Sequence, residues 1–182
     1  MGRRRQTLSL TLHLLRHAKS SWSDEVEDDH ERPLNARGRR AATAIGRFLA
    51  REGPAPTRVL CSSALRTRET WERIRECPGL EPEVSFERSL YLASAAEMLE
   101  RIRAEASGPC LLVIGHNPGT EDLARSFAAS GDAQARRRIV EKFPTAALAT
   151  VACDAVGWAE LSPASGRLLR FVTPRDLEEG NG

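Results

Sequence analysis

No run of apolar residues in this 182-residue chain approaches the length of a membrane span. The basic start, MGRRRQTLSLTL, lacks the long apolar segment and small-residue cleavage site of a signal peptide, so none is expected. An excess of one charge is missing too. The 27 basic and 25 acidic residues leave +2, too weak a field to predict binding to nucleic acid or to an anionic membrane. Cys61, Cys77, Cys110 and Cys153 show no metal-type spacing, and the four histidines come without the carboxylate spacing of a zinc site. Cys61 and Cys110 sit in apolar runs, which predicts buried thiols in a reducing cytoplasm. Internal repeats and low-complexity linkers are absent as well. The length therefore predicts one domain over 1–182, with flexible tails at 1–7 and 178–182.

What the chain does have is alternation. Leu8, Leu10, Leu12, Leu14 and Leu15 form an apolar run that ends in Arg16 and His17 and reads as a buried strand opening into a loop. Asn35 can cap a helix with Ala41, Ile45, Phe48 and Leu49 on one face and arginines on the other. A strand at 58–62, a basic helix at 64–77 and a helix at 94–106 follow, the last opened by the S-x-x-E pattern of Ser94 and Glu97. CLLVIGH (110–116) reads as a strand covered on both faces, followed by a helix through Ala128. Stretches 147–154, 158–161 and 167–172 read as further strands. This order predicts a three-layer α/β/α sandwich with a mostly parallel sheet and antiparallel C-terminal edge strands.

Parallel strands present their carboxyl ends at one rim, where open α/β sheets bind ligands. Arg16 and His17 follow the first strand, Arg66 lies just past the second, and His116 follows CLLVIGH. A lone Arg-His pair is more often a surface ion-pair former beside a hydrogen-bonded imidazole. Distant cations converging on one histidine suggest instead a site that holds an anion. CSSALR (61–66) has one residue too few between Cys61 and Arg66 for a cysteine phosphatase loop, and Cys61 falls inside the strand, so it reads as core. The acidic stretch 24–32 fits no calcium loop and reads as a solvated surface loop that includes His30. His13 reads as a hydrogen-bonded sheet residue.

These residues together resemble the histidine phosphatase superfamily, the group that includes cofactor-dependent phosphoglycerate mutases, and within it the small SixA-type phosphohistidine phosphatases. The resemblance rests on Arg16-His17-Ala18, on Ser62, Arg66 and Thr70 in an S-x-x-x-R-x-x-x-T segment, and on His116 in GHNPG. RPLNARG (32–38), KFPTAALA (142–149) and TPRDL (173–177) extend it over residues 12–177. It implies that His17 attacks phosphorus and carries a phosphohistidine intermediate that water hydrolyses. Arg16, Arg66 and His116 would hold the equatorial oxygens, and Arg32 is a further candidate whose alternative role is to anchor its loop. No metal or cofactor is implied. The implied partner is a phosphorylated protein, such as a histidine phosphotransfer domain, or a small phosphorylated metabolite, with no role for nucleic acid or membrane.

One departure bears on the substrate. Larger family members carry a leaving-group acid after the third strand or directly after the second histidine. Here 90–93 hold no acid and Asn117 follows His116. Phosphohistidine can depart as neutral imidazole without such an acid, so its absence leans toward a phosphoramidate substrate, although His116 or Asp122 could donate a proton. A phosphatase of a small phosphate ester and a non-catalytic phosphoprotein binder remain as alternatives.

Overall fold

The computed structural model describes residues 8–21 and 28–179. The tail expected at 1–7, the chain from 180 onward and residues 22–27, including part of the acidic stretch, lie outside the described residues.

Strand β1 (Leu8–Arg16) occupies an interior position, with its residues 12–15 buried on both faces. Leu10, Leu12 and Leu14 enter one core and Leu15 the other. It pairs in parallel with β4 (Cys110–Gly115), setting Arg16 opposite Gly115, and antiparallel with β5 (Leu148–Ala155). With β2 (Arg58–Ser62), β3 (Glu83–Glu87) and β6 (Gly166–Val172), the sheet order is β3-β2-β4-β1-β5-β6. The four strands β1 to β4 are mutually parallel and β5 and β6 are antiparallel additions, as expected.

Helices cover both faces. In α1 (Ala36–Glu52) the Asn35 side chain accepts the Gly38 N–H at 2.8 Å, and Ala41, Ala42, Ile45, Phe48 and Leu49 are buried. Together with Trp71 and Ile74 of α2 (Leu65–Arg75), they pack on Leu15, Leu112 and Ile114. On the opposite face, α3 (Ala95–Glu105), α4 (Gly119–Phe127) and α5 (Ala133–Glu141) bring Met98, Ile102, Leu123, Phe127 and Ile139 against Leu12, Leu14 and Val113. The capping box of Ser94 and Glu97 is formed. Among the described residues no helix is long and apolar enough to cross a membrane.

Three local differences from the sequence reading have physical causes. β3 was not expected, because EVSFE is an edge strand with no buried residue and its Phe86 is 48% exposed, so it carries no apolar run. Stretch 158–161 is a 3-10 turn instead of a strand: Trp158 is buried beneath α3 and its Nε1–H donates to the Gly108 carbonyl at 2.8 Å. Helix α6 (Pro174–Glu179) includes residues 178 and 179, which were expected in a tail, and it is fastened by Asp176, which accepts from Thr173 and pairs with Arg138 at 2.7 Å.

Leu14 is fully buried between β1 and the α4 side of the sheet. Leu14→Ala should cost about 2–5 kcal/mol of unfolding free energy, read from the urea midpoint; a loss well below that range would mean the core relaxes around β1.

Candidate active site

The loop after β1 is fixed by backbone bonds from three directions. The His17 N–H donates to Gly115 O at 3.0 Å, and the Ala146 N–H reaches the carbonyls of Arg16 and His17, both at 3.1 Å. The Ala18 N–H donates to Thr70 Oγ1 at 3.0 Å, and that hydroxyl donates to Arg66 O at 2.6 Å. Helix α1 closes the other side: Gly38 lies so near the Lys19 carbonyl that any Cβ there would overlap it.

This frame orients His17, which is 8% exposed. Its Nδ1–H donates to Ala18 O at 2.8 Å, which leaves the Nε2 lone pair free. Burial pushes its pKa down to about 3; the Ala18 bond opposes this, and the guanidiniums of Arg66, Arg16 and Arg32 lower it further. The ring is therefore neutral at physiological pH.

The four-residue spacing of Ser62, Arg66 and Thr70 puts each to a separate use. Ser62 ends β2 and its Oγ lies 2.8 Å from His116 Nε2. The Ser62 hydroxyl has no other acceptor among the described residues, so assigning its proton to His116 Nε2 satisfies it and puts the imidazole proton on Nδ1. Arg66, 3% exposed, stands in the first turn of α2, and Thr70 in the next turn holds Ala18. His116 is 2% exposed, with its ring centroid 5.1 Å from that of His17. Burial, then His17 and Arg66, push its pKa down to about 2. Its Nδ1 and the Nε of Arg16 are buried without a hydrogen-bond partner among the described residues. Buried polar atoms left unmatched in this way are costly until a ligand meets them, and both would suit an anionic oxygen.

Arg16, Arg66 and His116 gather around His17 at the rim where the strand ends were expected to meet, and Arg32, which only the resemblance offered, lies near them. Arg16 Nη1 donates to Phe143 O at 2.8 Å. Arg32 serves as a loop anchor: it donates to Ser21 O, Ser20 Oγ and Asp29 Oδ1 at 3.1, 2.7 and 2.7 Å while lying near enough to act on His17.

Sequence reasoning missed Asp29 and Tyr91. The Asp29 carboxylate accepts from Arg66, Arg32 and Tyr91 at 2.9, 2.7 and 2.7 Å. Burial raises its pKa, but the bonds from Tyr91 and Arg32 and the charge of Arg66 outweigh that and hold it well below the usual carboxylate range. Tyr91 sets its ring edge-on to His116 at 5.4 Å and beneath the Arg66 guanidinium at 5.7 Å. The available signal was its being the one tyrosine in the chain. His30, expected to be solvated, is instead buried. It bonds Glu31 at 2.6 Å and Ser63 at 2.9 Å, and it meets Tyr91 edge-on, because the short turn over 29–31 folds back onto β2 and α2. His13 is a sheet residue bonded to Thr150 and Pro54, both at 3.0 Å.

The remaining candidates lie elsewhere or are occupied. Cys61 is fully buried, its thiol pKa pushed strongly up by that burial. Glu97 closes its capping box and Asp122 is exposed on α4. Glu121 is the acid whose charge acts on Arg16, but its two oxygens are taken by the Asn117 amide at 2.7 Å and by Arg125 at 2.5 Å. Among the described residues no three His, Cys, Asp or Glu cluster as a metal site would require.

Residues 12–88 match the family described as the histidine phosphatase superfamily (branch 1). An uncharacterized protein of Mycobacterium tuberculosis is 39% identical over 164 residues, 88% of this chain and all of that protein. A candidate phosphohistidine phosphatase SixA from Nakamurella multipartitia superposes with a TM-score of 0.78 at 30% identity, covering 91% of this chain and 96% of that one. Its counterpart from Agrobacterium tumefaciens gives 0.76 at 25% identity, covering 91% and 98%. Because the likeness runs through nearly the whole fold and not only its motifs, the chain belongs to the histidine phosphatase superfamily, on its SixA-like branch, and is a phosphohydrolase.

Proposed function

We propose that this phosphohydrolase removes the phosphoryl group from phosphohistidine on a protein, such as a histidine phosphotransfer domain, through a phosphorylated His17 and without a metal ion. The observation that carries this reading is the orientation of His17: the Ala18 carbonyl holds the proton on Nδ1 and leaves Nε2 as the nucleophile.

Nε2 attacks phosphorus in line, forming a new N–P bond as the substrate N–P bond breaks. The substrate imidazole departs neutral, keeping the proton on its far nitrogen and taking the bonding pair on its near one. Arg16, Arg66 and the Nδ1–H of His116 hold the equatorial oxygens during the transfer. Water then attacks phosphorus, the Nε2–P bond breaks, and phosphate leaves with the water's proton. Ala18 keeps the Nδ1 proton throughout, so His17 also leaves as a neutral ring. Glu121, with both oxygens engaged, is a poor proton donor, and this favours a leaving group that needs none. The four buried, unpaired thiols suit a reducing compartment such as the cytoplasm.

Three outcomes are expected. First, His17→Ala should lower phosphohistidine hydrolysis by about 10³-fold or more and abolish an acid-labile, base-stable phosphoenzyme in rapid-quench experiments; full turnover by the variant would end the proposal. Second, in a panel of phosphohistidine, p-nitrophenyl phosphate, sugar phosphates and nucleotides, phosphohistidine should give the highest kcat/KM, whereas a preferred ester would make this an esterase on the same scaffold. Third, stability should depend on pH in a defined direction. Folded His17 and His116 stay neutral down to about 3 and about 2, whereas in the unfolded chain they protonate near 6.5. The unfolded state therefore binds more protons between these values, and stability rises with pH there. The urea midpoint should fall as pH drops from about 6.5 to about 4.5, above the carboxylate range; a midpoint that stayed level across that window would contradict neutral, buried imidazoles.

A further inference from the structure

A groove of about 620 Å³ opens beside the phosphoryl site, with Arg16 as one wall. Lys19, Arg37, Arg138, Lys142 and Arg175 also line it, and they come from chain segments far apart in sequence. Glu141 and Glu178 are the acids on its walls, so the lining carries a local excess of four positive charges in a chain whose total is +2. Arg138 is matched by Asp176, but Lys19, Arg37 and Lys142 form no ion pair with an acidic side chain among the described residues. All three are exposed. The phosphoryl chemistry does not use them. The three segments RPLNARG, KFPTAALA and TPRDL all contribute side chains here.

We propose that this groove docks an acidic surface of the protein that carries the phosphohistidine, an inference that rests on the proposed function. The lining favours a protein over a small polyanion. Small-molecule sites enclose most of their ligand in apolar walls, whereas here Phe171 and Ala41 are already buried in the fold, which leaves Pro144 and Pro174 as the apolar residues at the groove surface. Exposed cations on an open wall instead steer and orient a complementary acidic face. Docking there would also bring the phosphoryl group to Arg16 from the groove side, since that guanidinium belongs to both surfaces.

The test is the double charge reversal Arg37→Glu with Lys142→Glu, two exposed residues outside the phosphoryl chemistry. With a chemically phosphorylated, acidic histidine phosphotransfer domain, kcat/KM should fall about tenfold or more and lose much of its salt dependence. With free phosphohistidine it should stay within about twofold. A parallel fall on both substrates, no fall on either, or a loss confined to a small bisphosphate would each overturn the docking surface. If the wild type turns over neither phosphohistidine substrate, the proposed function fails by itself, and fluorescence anisotropy with the unphosphorylated acidic domain still decides the groove: wild type should bind it more tightly than the reversal variant, and equal affinity would overturn the assignment.

Discussion

The 2.8 Å bond from His17 Nδ1–H to the carbonyl of its own neighbour, Ala18, is the constraint on which the site depends. An imidazole free to rotate or to exchange tautomers would present a lone pair only part of the time, and in either of two directions. Here the choice is made by the main chain. The Ala18 carbonyl can hold that proton because the residue is itself pinned, its N–H taken by Thr70 and the preceding peptides tied to Gly115 and Ala146. Thr70 is in turn bonded to the backbone of Arg66, so one hydroxyl couples the orientation of His17 to the seat of the Arg66 guanidinium.

A second constraint is electrostatic. Three guanidiniums and two imidazoles packed at one rim would repel strongly if all were charged, and the structure relieves this in two ways. Burial keeps His17 and His116 neutral, and the Asp29 carboxylate lies against Arg66 and Arg32 as a resident anion. Asp29 takes the terminal nitrogens of Arg66 through its carboxylate and its backbone carbonyl, which fixes the plane of that guanidinium before any substrate arrives. Preorganised donors of this kind stabilise developing charge without having to reorient during the reaction.

The rim was legible in the sequence because topology and residue type agreed. Apolar runs that stop at Arg16-His17 and at His116 announce strands whose ends carry charge, and parallel pairing brings such ends together. Asn35 and the Ser94-Glu97 pair were legible for a similar reason, since helix caps depend on residues close in sequence. Asp29, Tyr91 and His30 were not. Each acts through partners that are tens of residues away and that local pattern does not encode: Asp29 to Arg66, Tyr91 to Asp29, His30 to Ser63. β3 escaped for the converse reason, since an edge strand held mainly by its ladder to β2 needs no apolar face to announce it.

The same geometry connects the leaving group to the openness of the site. An ester substrate would require a proton at its departing oxygen, hence a carboxylic acid kept neutral near the nucleophile, and such acids need enclosure to hold their pKa up. This rim provides the opposite surroundings: guanidiniums on several sides and a Glu121 whose oxygens are bonded to Asn117 and Arg125. A site with that field stabilises phosphoryl oxygens well and protonates leaving groups poorly. On the proposed reading, such a field suits a substrate that brings its own good leaving group, as a protonated phosphoimidazole does. On the same reading no acid has to be enclosed, and the proposed docking groove beside Arg16 is where a protein substrate would approach.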